Sequence, residues 1–341
     1  MAASSNALEK PTNFQAWWNR TSKTRIIYTY LFPSLLVMAM ITFYPLLYQV
    51  WMSFTDFGIK NLNQVKYTPP NYVGFQNYLD IFSGSLSSKI PNFSFWKLLA
   101  FNLVWTFSNV IVHVIAGVLI AVLLDADGLK GKSTYRTIFI LPMVIPSLVI
   151  AVVWRNMFDP TVGSINTALA SIGGLFGVPA SAFNIRWMEQ IEYPIPFIPL
   201  PLSFFAVLIA NIWLGWPFMT MVATGALQSI PRDLYEAASI DGATPIQQFF
   251  NITVPMIRPA MIPAMMYGLI ATFNQFNVIF FISQGGPLRK TEILVTTAFR
   301  LVNEQRLYGM AAAFSILIFF VLFSLTLATN RVTKATESYD A

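Results

Sequence analysis

The chain has no cysteine and a single histidine, His113, among its 341 residues, and only 11% of them are charged. The first absence excludes disulfides, thiolate metal sites and a cysteine nucleophile. The second excludes sites built on paired imidazoles, and no His-Glu-x-x-His sequence is present. There is also no Gly-x-x-x-x-Gly-Lys-Ser/Thr loop, which excludes a nucleotide site of that kind on this sequence. The shortage of charge decides most. An ordinary soluble domain carries about a quarter charged residues, whereas here 55% are hydrophobic, which points to a bilayer as the main solvent. Phe occurs 30 times and Trp nine times, as suits lipid-facing surfaces and the aromatic belts at the headgroups. The net charge of +6 comes from Lys and Arg scattered between apolar runs. That pattern fits anionic lipid and not nucleic acid.

Six apolar runs are long enough to cross a bilayer as helices, which takes about 20 residues each. They lie near Ile26 to Met52, Leu98 to Leu124, Thr137 to Phe158, Leu202 to Gln228, Ala260 to Ser283 and Met310 to Thr329. The first is too long for a signal-peptide core and has no small-residue cleavage site. The expected architecture is an all-α integral membrane protein with a transmembrane domain over residues 26–329 and cytoplasmic tails at 1–25 and 330–341. Lys and Arg are nearly balanced between the two sides, but the inner segments are shorter. Lys10, Arg20, Lys23 and Arg25 also cluster just before the first run, so the positive-inside rule gives N-in, C-in. The outer loops from Ser53 to Lys97 and from Asp159 to Pro201 read as compact caps. The proline-dense stretch Tyr193 to Pro201 reads as extended chain leading into the fourth span.

The longest inner segment, Ser229 to Arg258, carries the strongest signal. Pro231-Arg-Asp233 opens a short helix with an acid in its first turn, and Gly242 ends it. Thr244-Pro245 opens a second, with Ile246, Phe249, Phe250 and Thr253 on one stripe before Pro255 and Pro259 lead back into the membrane. These residues spell Glu236-Ala237-Ala238, three residues, Gly242, nine residues, then Ile252-Thr253-Val254-Pro255. That resembles the EAA motif of ATP-binding-cassette importer permeases, with Val254 where leucine is usual. Trp213-Leu-Gly-Trp-Pro-Phe218, Leu227 to Glu236, Gly285-Gly286-Pro287, Tyr72 to Tyr78 and Leu141-Pro142 look like the maltose-type, MalF-like branch. The resemblance covers roughly residues 26–329 and is densest from Trp213 to Pro287. The chain has no room for the additional N-terminal spans and large outer domain of the longest members.

The resemblance implies a type I ABC importer permease in a bacterial plasma membrane, not an enzyme. It implies that the segment at 229–258 docks in a groove of a separate ATPase. Glu236 would meet a basic residue there, Ala237 and Ala238 would allow close packing, Gly242 the bend and Pro255 the return to the membrane. Implied partners are a second homologous permease, two ATPase subunits that use ATP and Mg, and an extracytoplasmic binding protein. No cofactor is expected on this chain. The implied cargo is a sugar, foremost an α-linked disaccharide such as maltose or trehalose. Glycerol phosphate or another polar solute is the alternative, and an ion-coupled carrier the more distant one.

Polar side chains inside apolar helices usually face a bundle interior or a wet cavity. On the fifth span Gly268, Ala271, Thr272 and Gln275 share a face at i, i+3, i+4 and i+7, and Asn211, Leu214, Gly215 and Phe218 do so on the fourth. Amides for hydroxyls and aromatic or glycine surface for a ring suit a sugar, and the resemblance places the substrate on these two faces. Small and amide residues also bind helix to helix. Asn274 and Asn277 point to other faces of the fifth span. His113, near Asn109, has no acidic partner at membrane depth and reads as a packing residue. Arg155 and Asp159 are placed to pair at the outer end of the third span.

Overall fold

A computed structural model describes residues 13–63, 67–126 and 128–333. The rest of the two expected tails, at 1–12 and 334–341, lies outside the described residues. Within them the chain is helical apart from turns, loops and one isolated bridge between Thr55 and Tyr72.

The first span is built from α1 (Asn13–Met38), a π-helical turn (Ala39–Phe43) and α2 (Tyr44–Ser53). The helix starts inside the stretch read as a polar tail. Nothing on this chain buries the apolar window of this span, which in water would be untenable and in lipid is ordinary. A cap follows, with α3 (Gln76–Ser83) pinned by Asn77, whose Nδ2 donates to the carbonyls of Ser53 and Thr55 at 2.8 and 2.9 Å. The second span, α4 (Phe95–Asp125), runs the full bilayer depth.

The third span departs from the sequence reading. Thr137 to Phe158 is not one rod but two helices, α5 (Lys132–Val144) and α6 (Ser147–Met157), bent by 93°. The cause is Pro146, which cannot donate a helical N–H and pushes Ile145 out of the helical region, to φ −80° and ψ 130°. After it, α7 (Ser164–Leu175) forms part of the second cap, and the Tyr193–Pro201 stretch, expected to be extended, instead folds through a turn at Pro196–Phe197, with Ile198 N–H donating to the Ile195 carbonyl at 3.1 Å, before the fourth span. That span is α8 (Leu202–Leu227).

Beyond it come α9 (Arg232–Ile240), α10 (Pro245–Gln248), a π-helical turn (Phe249–Thr253) and α11 (Val254–Phe273). The fifth span differs from expectation at both ends. It is continuous from Pro245, Pro255 included, and the π-helical turn Phe249–Thr253, where Val254 N–H donates to the Phe249 carbonyl, immediately precedes that proline. It stops at Phe273 and restarts as α12 (Phe276–Val278), which runs into a third π-helical turn (Ile279–Ser283). Next, α13 (Leu294–Asn303) is a short helix that no apolar run of spanning length had announced. The last span is α14 (Tyr308–Thr333).

The five long helices and the bent pair make up to six crossings. Packing centres on α4 against α8, where Gly117 lies so close to Met219 that a Cβ would have no room. In lipid, such small-residue contacts replace the hydrophobic driving force available in water. At the end bearing α9, one core joins Val118, Ala121, Met219, Ala223, Leu227, Ile257 and Met261, with Tyr235 and Phe249 packed on it. Another, towards the opposite end, joins Phe95, Phe273, Leu294, Leu301 and Phe314.

Candidate coupling and translocation site

The segment from Ser229 to Arg258 folds as one short helix, α9, followed across a bend by the start of the helix that runs on from Pro245 into the fifth span, where a second separate short helix was expected. Pro231 caps α9 in extended conformation, and Asp233 lies in its first turn, where a negative charge favours the helix dipole. The helix closes with Asp241 N–H donating to the Ala237 carbonyl at 3.0 Å and Ala243 N–H donating to the Ala238 carbonyl at 2.9 Å. Between them Gly242 has φ +78°, and a Cβ there would meet nothing within 4 Å. The glycine is needed for its backbone conformation and not for space. Thr244 then opens α10 with a capping box: Gln247 N–H donates to Thr244 Oγ1 at 3.3 Å and Thr244 N–H to Gln247 Oε1 at 2.8 Å.

Two further bonds tie the arms. Gln248 Nε2 donates to Ser239 Oγ at 2.9 Å, and the Tyr235 hydroxyl lies 2.9 Å from Thr253 Oγ1. Glu236 and Ala237 are exposed and Ala238 half-buried, so the Glu-Ala-Ala face looks outward. Apolar side chains look outward too: Ile240 is 86% exposed, Ile246 70% and Phe250 63%. The stripe expected of Ile246, Phe249, Phe250 and Thr253 is split by the π-helical turn, which rotates Phe249 and Thr253 into the core and leaves Ile246 and Phe250 outside.

At membrane depth a cavity of about 720 Å³ opens inside the bend between α5 and α6, walled by Pro142 to Ser147, Leu214, Phe218 and Tyr267. Of the residues expected to share a path, Leu214 and Phe218 line it. The others divide. Asn211 and Thr272 are buried, Gly268 would place a Cβ 2.7 Å from Met219 Cε, and Ala271 is exposed. Gly215 does not face open space at all, because the His113 ring fills it. Gln275 does not share a helical face with Thr272, since the helix has already ended; its Nε2 instead donates to Asn211 Oδ1 at 3.2 Å. A helical wheel assumes an unbroken helix, and this explains the misplacement. Asn277 reaches the cavity wall, with its Nδ2 donating to Ser147 Oγ at 2.7 Å. The sequence reading missed Tyr267 and Ser147; the Pro142 to Pro146 spacing, a sign of a bent span, was the available signal.

His113 is buried against Gly215, its Nε2 3.0 Å from the Asn211 carbonyl. Arg155 and Asp159 do not form the expected pair. The Asp159 carboxylate accepts from Thr161 N–H, Thr161 Oγ1 and Val162 N–H at 2.8, 2.6 and 3.0 Å, and these bonds, Thr161's foremost, hold it below the usual carboxylate range.

The end opposite α9 holds a charged cluster that the sequence did not announce. Glu292, 4% exposed, lies 2.6 Å from Arg300 Nε and 3.7 Å from Arg289 Nη1, and Thr297 Oγ1 donates to it at 3.0 Å. Burial pushes its carboxyl up, and Arg289 and Arg300 oppose that shift. Arg300 also donates to the Gln284 carbonyl at 2.7 Å and pairs with Glu304. The cluster thereby joins α13 to the Gly285-Gly286-Pro287 turn. Lys290 extends the link to the second cap through the Ile191 carbonyl and the Tyr193 hydroxyl, both at 3.3 Å.

Residues 113–337 match the family described as the binding-protein-dependent transport system inner membrane component. The galactooligosaccharides transport system permease protein GanP of Bacillus subtilis (strain 168) is 31% identical over 309 residues, 89% of this chain and 69% of the relative. The trehalose/maltose transport system permease protein MalF of Thermococcus litoralis is 30% identical over 321 residues, 92% and 97% respectively. A crystal structure of a bacterial ABC transporter involved in the import of the acidic polysaccharide alginate aligns with TM-score 0.74 and 21% identity, over 95% of this chain and all of that one, a likeness of fold alone. The fold, the Glu-Ala-Ala segment and a family match over more than half the chain agree: the protein belongs to the binding-protein-dependent transport system inner membrane components, the permeases of ATP-binding-cassette importers.

Proposed function

We propose that this chain forms part of the transmembrane path of a sugar importer and couples it to a separate ATPase through residues 229–258. The observation that carries the reading is the bent helix pair itself. Glu236 and exposed Ile240, Ile246 and Phe250 stand together on a segment ordered by its own caps and tied to the core by Tyr235. An apolar and acidic surface left bare in this way fits a groove with an apolar floor and a basic rim. Glu236 meets the base, Ala237 and Ala238 keep the approach close, and Gly242 and Pro255 set the angles at which the arms leave. This end faces the cytoplasm, where the ATPase uses ATP and Mg, and both chain ends lie on the same side.

The cargo passes along the cavity at the bend, past Leu214, Phe218, Tyr267, Ser147 and Asn277. Asn211, Gly215, Gly268, Ala271, Thr272 and Gln275 form and support the helix faces behind it. The lining has aromatic and hydroxyl groups but no Lys or Arg, which favours a neutral sugar over a phosphorylated solute. Similar proteins named for galactooligosaccharides and for trehalose and maltose support a sugar as cargo, and the second of these names favours an α-linked disaccharide such as maltose or trehalose. An extracytoplasmic binding protein delivers it, and a second homologous permease completes the path. Co-purification tests the assembly. Recovery with a stoichiometric ATPase and a second six-span permease is expected, and a chain that is isolated alone and transports on an ion gradient would refute the reading.

A further inference from the structure

The fifth span breaks at Asn274 and Gln275, yet neither is a proline or glycine, and Pro259 and Pro263 upstream sit inside the continuous helix. The cause lies in α4. Trp105 Nε1 donates to the Thr272 carbonyl and Asn102 Nδ2 to the Phe273 carbonyl, both at 3.2 Å. Asn102 and Trp105 are one turn apart on α4 and wholly buried. In an uninterrupted helix those two carbonyls would accept from the N–H groups of Phe276 and Asn277; here the buried indole and amide take those places, and the Thr272 carbonyl accepts in addition from Gln275 N–H at 3.1 Å, which tightens the last turn. Asn102 serves a second helix end as well, since its Oδ1 accepts from Leu294 N–H, at the start of α13, at 2.7 Å. One amide thus satisfies a carbonyl at one helix C-terminus and an N–H at another helix N-terminus, both of which need outside partners. One turn further along α4, Asn109 Oδ1 accepts from Asn211 Nδ2 at 2.7 Å, and Asn211 Oδ1 accepts from Gln275, the first residue past Asn274, at 3.2 Å.

We propose that Asn102 and Trp105 are positioning residues that hold the fifth span broken, so that Asn277 is presented to the cavity beside Ser147. The importance of that placement for transport rests on the cargo path proposed above; the placement itself does not. Neither residue lines the cavity, so their effect on transport is indirect.

The chain has no cysteine of its own, so Ser147→Cys and Asn277→Cys give a unique pair for a short bifunctional thiol reagent. Cross-linking is measured in the assembled complex, with co-purification of the ATPase as the control for folding. Adding Asn102→Leu, which removes both bonds at little change in volume, is expected to lower the cross-linked fraction about fivefold or more. Trp105→Phe, which keeps the ring, should lower it less and decides the matter where the leucine variant does not assemble. A wild-type yield with Asn102→Leu, or with Trp105→Phe where that variant decides, overturns the proposal. Uptake of labelled sugar is measured separately, with the native Ser147 and Asn277 retained. Loss of cross-linking with uptake unchanged in the same Asn102 or Trp105 variant would uphold the positioning role and refute the cargo path.

Discussion

Glu236 stands exposed on a helix whose neighbours are held by Tyr235 and Ser239 bonds, so its charge can change without disturbing the fold. Glu236→Lys is therefore expected to leave the amount of membrane-inserted protein unchanged while reducing binding-protein-stimulated ATP hydrolysis by at least about tenfold, since a reversed charge facing a basic rim adds repulsion to a lost pair. Stimulation equal to the unaltered complex would remove Glu236 from the coupling contact. Glu292 is the opposite case, a buried acid with Arg289 and Arg300 against it. Glu292→Ala leaves two guanidinium groups facing an emptied pocket, and removing one partner of a buried ion pair costs about 3 to 5 kcal/mol. The thermal midpoint of the purified complex should fall accordingly; an unchanged midpoint would mean that water replaces the carboxylate. The first residue was legible from the sequence because its meaning lies in a local spacing. The second was not, because nothing near Glu292 in the chain announces that α13 folds back to bury it.

Elements were legible in proportion to how locally they are determined. The long apolar runs of α4, α8 and α14 mark helices by length alone, and the punctuation Pro231, Gly242 and Thr244-Pro245 marked the bounds of α9 and the start of α10, though not the continuation of α10 into the fifth span. The two broken spans were missed for different reasons. At Pro146 the local chemistry was present, but hydrophobicity runs unbroken across it. At Asn274 the break is imposed by α4, from residues 167 to 171 positions away in sequence. For the same reason the two-face reading of Asn211, Gly215, Thr272 and Gln275 is matched by one contact, Gln275 to Asn211, while Gly215 faces His113 and the Thr272 carbonyl faces Trp105. At the bend between α9 and α10, Gly242→Val forces a β-branched side chain into a left-handed conformation, a cost of about 1 to 2 kcal/mol, although the space is open. ATPase stimulation by loaded binding protein should drop for valine and be largely retained for Gly242→Asn, because asparagine tolerates that conformation. Equal loss in both would mean that the side chain clashes with the docked ATPase and that the bend is not at issue.

On the scale of the whole molecule, the chain is one half of a machine. Its first span exposes an apolar window, its bent third span opens a cavity without closing it, and the segment from α9 to Phe250 leaves Ile240, Ile246 and Phe250 bare. Each feature is costly for an isolated subunit and ordinary for one embedded in lipid and flanked by a second permease and an ATPase. The central claim is that sugar crosses along this chain at the expense of ATP bound elsewhere. It is tested most directly by uptake of labelled maltose or trehalose into vesicles that contain the assembled complex, with loaded binding protein on one side and ATP with Mg on the other. The account predicts accumulation that requires ATP and persists when proton and sodium gradients are abolished. Accumulation that continues without ATP and stops when those gradients collapse would contradict it.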